Sequence, residues 1–157
     1  MLRQAQVIVG AQIQDRFSIG YSNGRALRSY YDALAFTTDP KLIQKSLAIA
    51  LTDELPTSRA VFMVSKIARE SDRPDLAWEF ARKNLSALVA KVDALNANSY
   101  LPNLFIFFHD PSRIEELKAF AQKNLSEPSR KPVEIASDEI LFRTDFRKRL
   151  IDQLTKD

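Results

Sequence analysis

Residues 74–92 read Pro-Asp-Leu-Ala-Trp-Glu-Phe-Ala-Arg-Lys-Asn-Leu-Ser-Ala-Leu-Val-Ala-Lys-Val, and they decide the fold class. The spacing predicts one helix. Pro74 suits the first helical position, where its missing N–H leaves nothing unpaired. Asp72 precedes it as the expected cap, and Asp75 favours the positive end of the helix dipole. Leu76, Phe80, Leu88 and Val92 recur at helical spacing, with Ala77, Trp78, Ala81, Leu85 and Val89 widening the stripe. An apolar face this wide, holding the only tryptophan, calls for helices on both flanks.

The flanking sequence supplies them. Arg25 to Phe36 repeats Leu27, Tyr30, Tyr31, Leu34 and Ala35 at intervals of three and four. Thr37-Thr38-Asp39-Pro40 stops that helix and starts another, with Asp39 as cap and Pro40 first in the helix. Leu42, Ile43, Leu47, Ile49, Ala50 and Leu51 form the next apolar face. Thr52 to Thr57 is a loop. The helix after it, Ala60 to Ile67, directs Val61, Phe62, Val64, Ile67 and Ala68 inward. Glu70 to Arg73 links it to the tryptophan helix.

Asp93 to Ser99 is polar and breaks the pattern. Tyr100 to Phe108 is apolar enough for a strand or a buried helix, and periodicity alone does not separate the two. Its helical neighbours favour helix, because a lone strand has nothing to pair with. His109-Asp110-Pro111 repeats the stop-and-start signal. Ser112 to Leu125 follows as a helix with Ile114, Leu117, Phe120, Ala121 and Leu125 on one face. Ser126 to Pro132 is a loop, and one long helix runs from there, with Ile135, Phe142, Phe146, Leu150 and Leu154 as its apolar stripe.

Helix-starting prolines at 40, 74 and 111 are about 35 residues apart, the period of stacked helical hairpins. The expected fold is all-α: an irregular α-solenoid of stacked antiparallel hairpins, a superhelix of the HEAT or armadillo type. Residues 1–157 are expected to form a single helical-repeat domain, with 1–24 poorly specified. Within that segment Leu2 to Gln14 is either a short helix lacking its partner or a frayed N-terminal helix. Asp15 to Gly24 is a connection closed by the turn pair Asn23-Gly24.

Composition excludes more than it suggests. An apolar fraction of 45% is ordinary for a globular chain and argues against disorder. The three glycines all lie at or before Gly24, so there is no glycine-rich phosphate cradle downstream. With no cysteine, disulfides, thiolate catalysis and cysteine metal sites fall away. A net charge of +3, with acids and bases interspersed, is no nucleic-acid footprint. No membrane span is present, and the N-terminus lacks a signal-peptide layout; a soluble, cytoplasmic chain is favoured.

Chemistry-bearing patterns are missing. His109 is the single histidine, so a two-histidine zinc helix is impossible here, and a loop position explains it. No nucleophile elbow accompanies it. The acidic pairs Asp53-Glu54, Glu115-Glu116 and Asp138-Glu139 fit loops and early helical turns. Tyr30, Tyr31 and Tyr100 are expected to straddle core and surface. The best candidate for contact is the basic cluster Arg143, Arg147, Lys148 and Arg149. Arg143 and Arg147 stand four apart, and guanidinium forks suit a carboxylate. The plainer reading of the cluster is a solvated helix face.

Several segments together resemble one family. Tyr30-Tyr31-Asp32-Ala33-Leu34-Ala35-Phe36-Thr37-Thr38-Asp39-Pro40 is similar to a segment in the C-terminal domain of the gluzincin zinc aminopeptidases. These include aminopeptidase N and the puromycin-sensitive and endoplasmic-reticulum aminopeptidases. Leu76-Ala77-Trp78-Glu79-Phe80 with Lys83-Asn84 resembles that domain's L-A-W-x-F…x-N-W signature. Phe107-Phe108 followed by Ile114-Glu115-Glu116-Leu117-Lys118-Ala119-Phe120 resembles its F-F…L-E-E-V-x-x-F-F element, and Arg143 to Leu154 its terminal helix. The resemblance runs from about Arg25 onward in the right order. Leu85 stands where the family often has tryptophan, and Glu70 to Arg73 replaces an asparagine-proline-glycine type of link.

The resemblance implies a HEAT-like domain of a zinc aminopeptidase that caps the catalytic domain and encloses the peptide cavity. Zinc would belong to that catalytic domain; no cofactor and no catalytic or metal-binding residue falls in this chain. The implied partners are the parent's catalytic domain and peptide substrates; on the chemistry of their own side chains, Arg143 and Arg147 are the candidate contacts for a peptide carboxylate. A face left bare by a missing neighbour would favour self-association. The rival reading is a freestanding α-solenoid that binds another protein on its concave face; a small enzyme in its own right is disfavoured.

Overall fold

The computed structural model describes residues 33–155, and every regular element among them is helical. The segments 2–14 and 15–24, most of the Arg25–Phe36 helix, and Tyr30 and Tyr31 lie outside the described residues. The chain divides between Asp93 and Ala94 into two compact units.

In the first unit, α1 spans Pro40–Ile49. Asp39 is extended, and its carboxylate accepts the Lys41 N–H at 2.8 Å, so the predicted cap and first-position proline are both present. Ile43, Leu47, Ile49 and Ala50 are buried, whereas Leu51 is exposed beyond the helix end. The second helix, α2, spans Thr57–Glu70, longer at both ends than its apolar run implies. Its buried residues are Ala60, Met63, Val64, Ile67 and Ala68. Phe62 is exposed and Val61 half-buried, against the inward positions expected of them.

Residues 71–73 turn the chain. Ser71 Oγ donates to the Ile67 carbonyl at 2.6 Å and accepts the Arg73 N–H at 3.3 Å. Asp72 takes a positive φ of 56° and is not the cap expected of it. Arg73 is the residue before the next helix and makes no side-chain cap bond there. Its guanidinium grips Asp75 through two bonds of 2.8 and 2.9 Å.

The tryptophan stretch is two helices, not one: α3, Pro74–Lys83, and α4, Leu85–Val89. Asn84 causes the break. Its side-chain amide donates to the Phe80 carbonyl at 2.8 Å, alongside its own backbone N–H at 3.0 Å, and its backbone leaves the helical region. Asparagine competes in this way for the helix's own acceptors. Trp78, Ala77 and Ala81 are fully buried, and α3 packs against both α1 and α2. That is the two-sided cover the apolar stripe demands. Lys91 Nζ, past the end of α4, donates to the Thr52 carbonyl in the α1–α2 connection at 3.1 Å.

In the second unit, α5 is Tyr100–Phe105, so the apolar run is helix and not strand. Pro102 sits in its first turn, where no backbone donor is lost. Asp110 accepts the Ser112 N–H at 2.9 Å and caps a 3₁₀ turn, Pro111–Arg113, that feeds α6, Ile114–Asn124. The predicted loop at 126–132 is shorter than expected. A 3₁₀ turn at Glu127–Ser129 runs directly into α7, Arg130–Leu154, with Pro132 tolerated in the first turn.

Helix α7 packs against α5 and α6 through Val133, Ala136, Ser137 and Ile140. The predicted stripe lies elsewhere. Ile135, Phe142, Phe146, Leu150 and Leu154 are 56%, 61%, 54%, 43% and 72% exposed. From Asp145 to Thr155 every residue is exposed, so the C-terminal part of α7 extends beyond its own packing.

Candidate functional site

The second unit gathers the groups able to contact a ligand. Arg113 stacks over Phe108 at 4.2 Å and over Phe105 at 5.8 Å, while Phe105 and Phe108 stack on each other at 4.4 Å. Glu116 anchors the same guanidinium at 2.7 Å. Cation–π contact of this kind holds a charged head against a buried aromatic pair. The arginine therefore closes the α5–α6 corner; its sequence carries no sign of this, since Arg113 looks like any solvated residue after a cap.

Arg143 lies in the middle of α7, half-buried. It bonds Glu139 at 2.6 Å, and its guanidinium carbon sits 5.7 Å from the centre of the Phe107 ring. Arg147 is one turn further on, exposed, with no ion pair among the described residues. Arg149 pairs with Asp145 at 2.8 Å. The basic cluster is thus partly neutralised within its own helix, as i, i+4 pairs commonly are. Thr144, between the two candidate arginines, donates to the His109 carbonyl at 3.4 Å, which ties α7 to the loop before α6. His109 itself is exposed in that loop.

An open cleft of about 460 Å³ lies where α6 ends and α7 begins, lined by Lys118, Leu125, Ser126, Glu127, Arg130 and Val133 among others. Its charges are already paired on the surface: Lys118 with Glu115, Arg130 with Glu127. No convergent set of polar groups fixes a ligand there.

Asp53-Glu54 lies in the α1–α2 connection, and Asp138-Glu139 lies in the interior of α7 and not in the early turns expected of it. Glu115 and Glu116 stand in the first turn of α6. Asp75 has the clearest electrostatic signature. The hydrogen bond from Arg73 holds its carboxyl below the ordinary carboxylate range, against a smaller opposing effect of burial. Asp110 is lowered too, by hydrogen bonds from Ser112. Both sit at helix starts, where Asp75 answers to its clamp with Arg73 and Asp110 to its cap on Ser112.

The ERAP1-like C-terminal domain family matches residues 19–141. The chain belongs to this family. The match covers most of the 157 residues and agrees with the all-helical fold. No curated protein matches the sequence. As an ERAP1-like C-terminal domain, the chain has the catalytic aminopeptidase domain as its family context. The described residues do not fit a zinc site: no group of three His, Cys, Asp or Glu side chains is placed to hold a metal. No helix among them is long and apolar enough to cross a membrane.

Proposed function

We propose that this chain is the non-catalytic C-terminal domain of a zinc-dependent aminopeptidase. It caps the active-site chamber of the parent and helps to bind peptide. The observation that carries this reading is the family match over residues 19–141. In the proposal the whole chain is one helical-repeat domain whose hairpins stack as an irregular solenoid of the HEAT type. Zinc is held by the catalytic domain, where it activates the water that cleaves the N-terminal residue. This chain contributes wall and docking surface. Arg143 and Arg147 serve as contacts for a peptide carboxylate, Arg143 by exchanging part of its bond with Glu139 and Arg147 as an open fork.

The size of the native gene product tests the proposal. An antibody raised to this chain should detect a band several times larger than 17.9 kDa, co-fractionating with chelator-sensitive aminopeptidase activity. A band at the chain's own mass, free of that activity, would overturn the reading in favour of a freestanding helical module.

A further inference from the structure

Two arginines of the second unit share one design and differ in one respect. Arg113 and Arg143 each lie against one phenylalanine of the Phe107-Phe108 pair, and each bonds a nearby glutamate. Arg113 is fully engaged. It sits 4.2 Å over Phe108, and its Nε and one Nη both go to Glu116, at 2.8 and 2.7 Å. Arg143 is engaged on one edge alone. Glu139 takes its Nε at 2.6 Å, and its two Nη nitrogens have no partner among the described residues. Phe107 lies 5.7 Å from the guanidinium carbon. The ring is kept in place because Thr144 donates to the His109 carbonyl at 3.4 Å, which fastens the Phe107–His109 loop to α7.

A guanidinium is a flat fork of five N–H donors, so a carboxylate can dock on the Nη edge while Nε is already in use. A long side chain that is fixed beforehand has less freedom to lose when a ligand arrives. We infer that Glu139 and Phe107 are positioning residues. They brace Arg143 so that its Nη edge stands ready for a peptide carboxylate, with the exposed Arg147 one turn away as a second cation. The inference rests on the peptide-contact reading of Arg143 and adds two residues to it. The ligand shares the guanidinium with Glu139 and does not strip it away. The sign of the effect of Glu139 separates a brace from a competitor. Removing a competitor tightens carboxylate binding, whereas removing a brace loosens it.

The full enzyme is assayed with a long peptide ending in a free carboxylate and with the same peptide ending in an amide. Glu139→Ala should raise KM for the carboxylate form about threefold, the effect of freeing one long side chain, and leave kcat and the amide form unchanged. Glu139→Gln keeps an oxygen that accepts from Nε and should leave KM at or below the parent's. Phe107→Leu should follow Glu139→Ala in direction. In an Arg143→Ala background, Glu139→Ala should have no further effect, because it acts through that arginine. A KM that falls or holds with Glu139→Ala, equal rises for carboxylate and amide, or an effect that persists without Arg143 would overturn the inference. Arg143→Ala alone separates the two levels. If it leaves the carboxylate preference intact, the peptide-contact reading fails and the brace with it. If it abolishes the preference while Glu139→Ala does nothing, the reading stands and the brace alone fails.

Discussion

Ser46 is fully buried in α1, and its hydroxyl has no hydrogen-bond partner. A hydroxyl stranded in this way costs about 1–3 kcal/mol in a folded interior. Alanine fits the same space and is the better helix former. Ser46→Ala should therefore raise unfolding stability by about 1 kcal/mol, read from urea denaturation. A loss of stability would show that the hydroxyl is bonded after all. Ser137 makes the contrast. It is buried in α7 as well, but its hydroxyl donates to the Val133 carbonyl at 2.8 Å, so the same residue type is satisfied there. Asp72 is the other residue held away from its preference. Its φ of 56° is a region that aspartate tolerates better than most side chains, and it lets the α2–α3 link turn within three residues.

At the scale of elements, local grammar was legible and mutual packing was not. Asp39-Pro40 and Asp110-Pro111 could be read because capping needs only neighbours in sequence. The break at Asn84 could not, since Leu76, Phe80 and Leu88 keep helical phase across it while the disruption comes from one side-chain amide. Helix α7 was misread for a different reason. It carries two apolar stripes, and the bulkier one, Phe142 to Leu154, looked like the core face. The core took the smaller side chains, Val133, Ala136, Ser137 and Ile140, because small residues allow close approach of α5 and α6. Arg143 and Arg147 were legible as a pair on one helix; the hold that Glu139 and Phe107 have on Arg143 was not.

The Arg73–Asp75 clamp at the start of α3 gives this scale its prediction. The folded carboxyl titrates below its unfolded value, so its stabilisation is present above the unfolded pKa of about 3.9 and is lost as pH falls through the folded value. Asp75→Asn should destabilise at neutral pH, and the difference from the parent should shrink as pH falls below the unfolded value. The side chain is 38% exposed, so the effect is modest. Urea denaturation at neutral and at acid pH decides it; a difference that is constant with pH would exclude the clamp as its source.

At the scale of the whole molecule, the chain is an all-helical member of the ERAP1-like C-terminal domain family. Its described residues offer helix caps, intrahelical ion pairs and an exposed arginine, and no group of three His, Cys, Asp or Glu side chains among them is placed to hold a metal. The peptide-contact assignment is testable in the full enzyme. Replacing Arg143 and Arg147 together with alanine should raise KM for long peptides by about tenfold while leaving a dipeptide analogue nearly unchanged. Equal effects on both substrates would remove the arginines from peptide recognition.

The glycines of this chain all precede the described residues, so every helix junction from 33 to 155 is made without one. The turns rely on serine, asparagine, aspartate and proline, whose side chains or rings commit the backbone. A stretch without glycine has fewer conformations open to it when unfolded, and so less disorder to give up on folding. Part of the stability of this domain thus comes from no contact at all. It is set by the poverty of the unfolded ensemble, and glycine placed at the solvent-facing positions of these junctions, Asp72 with its positive φ excepted, would weaken the fold while leaving the native packing in place.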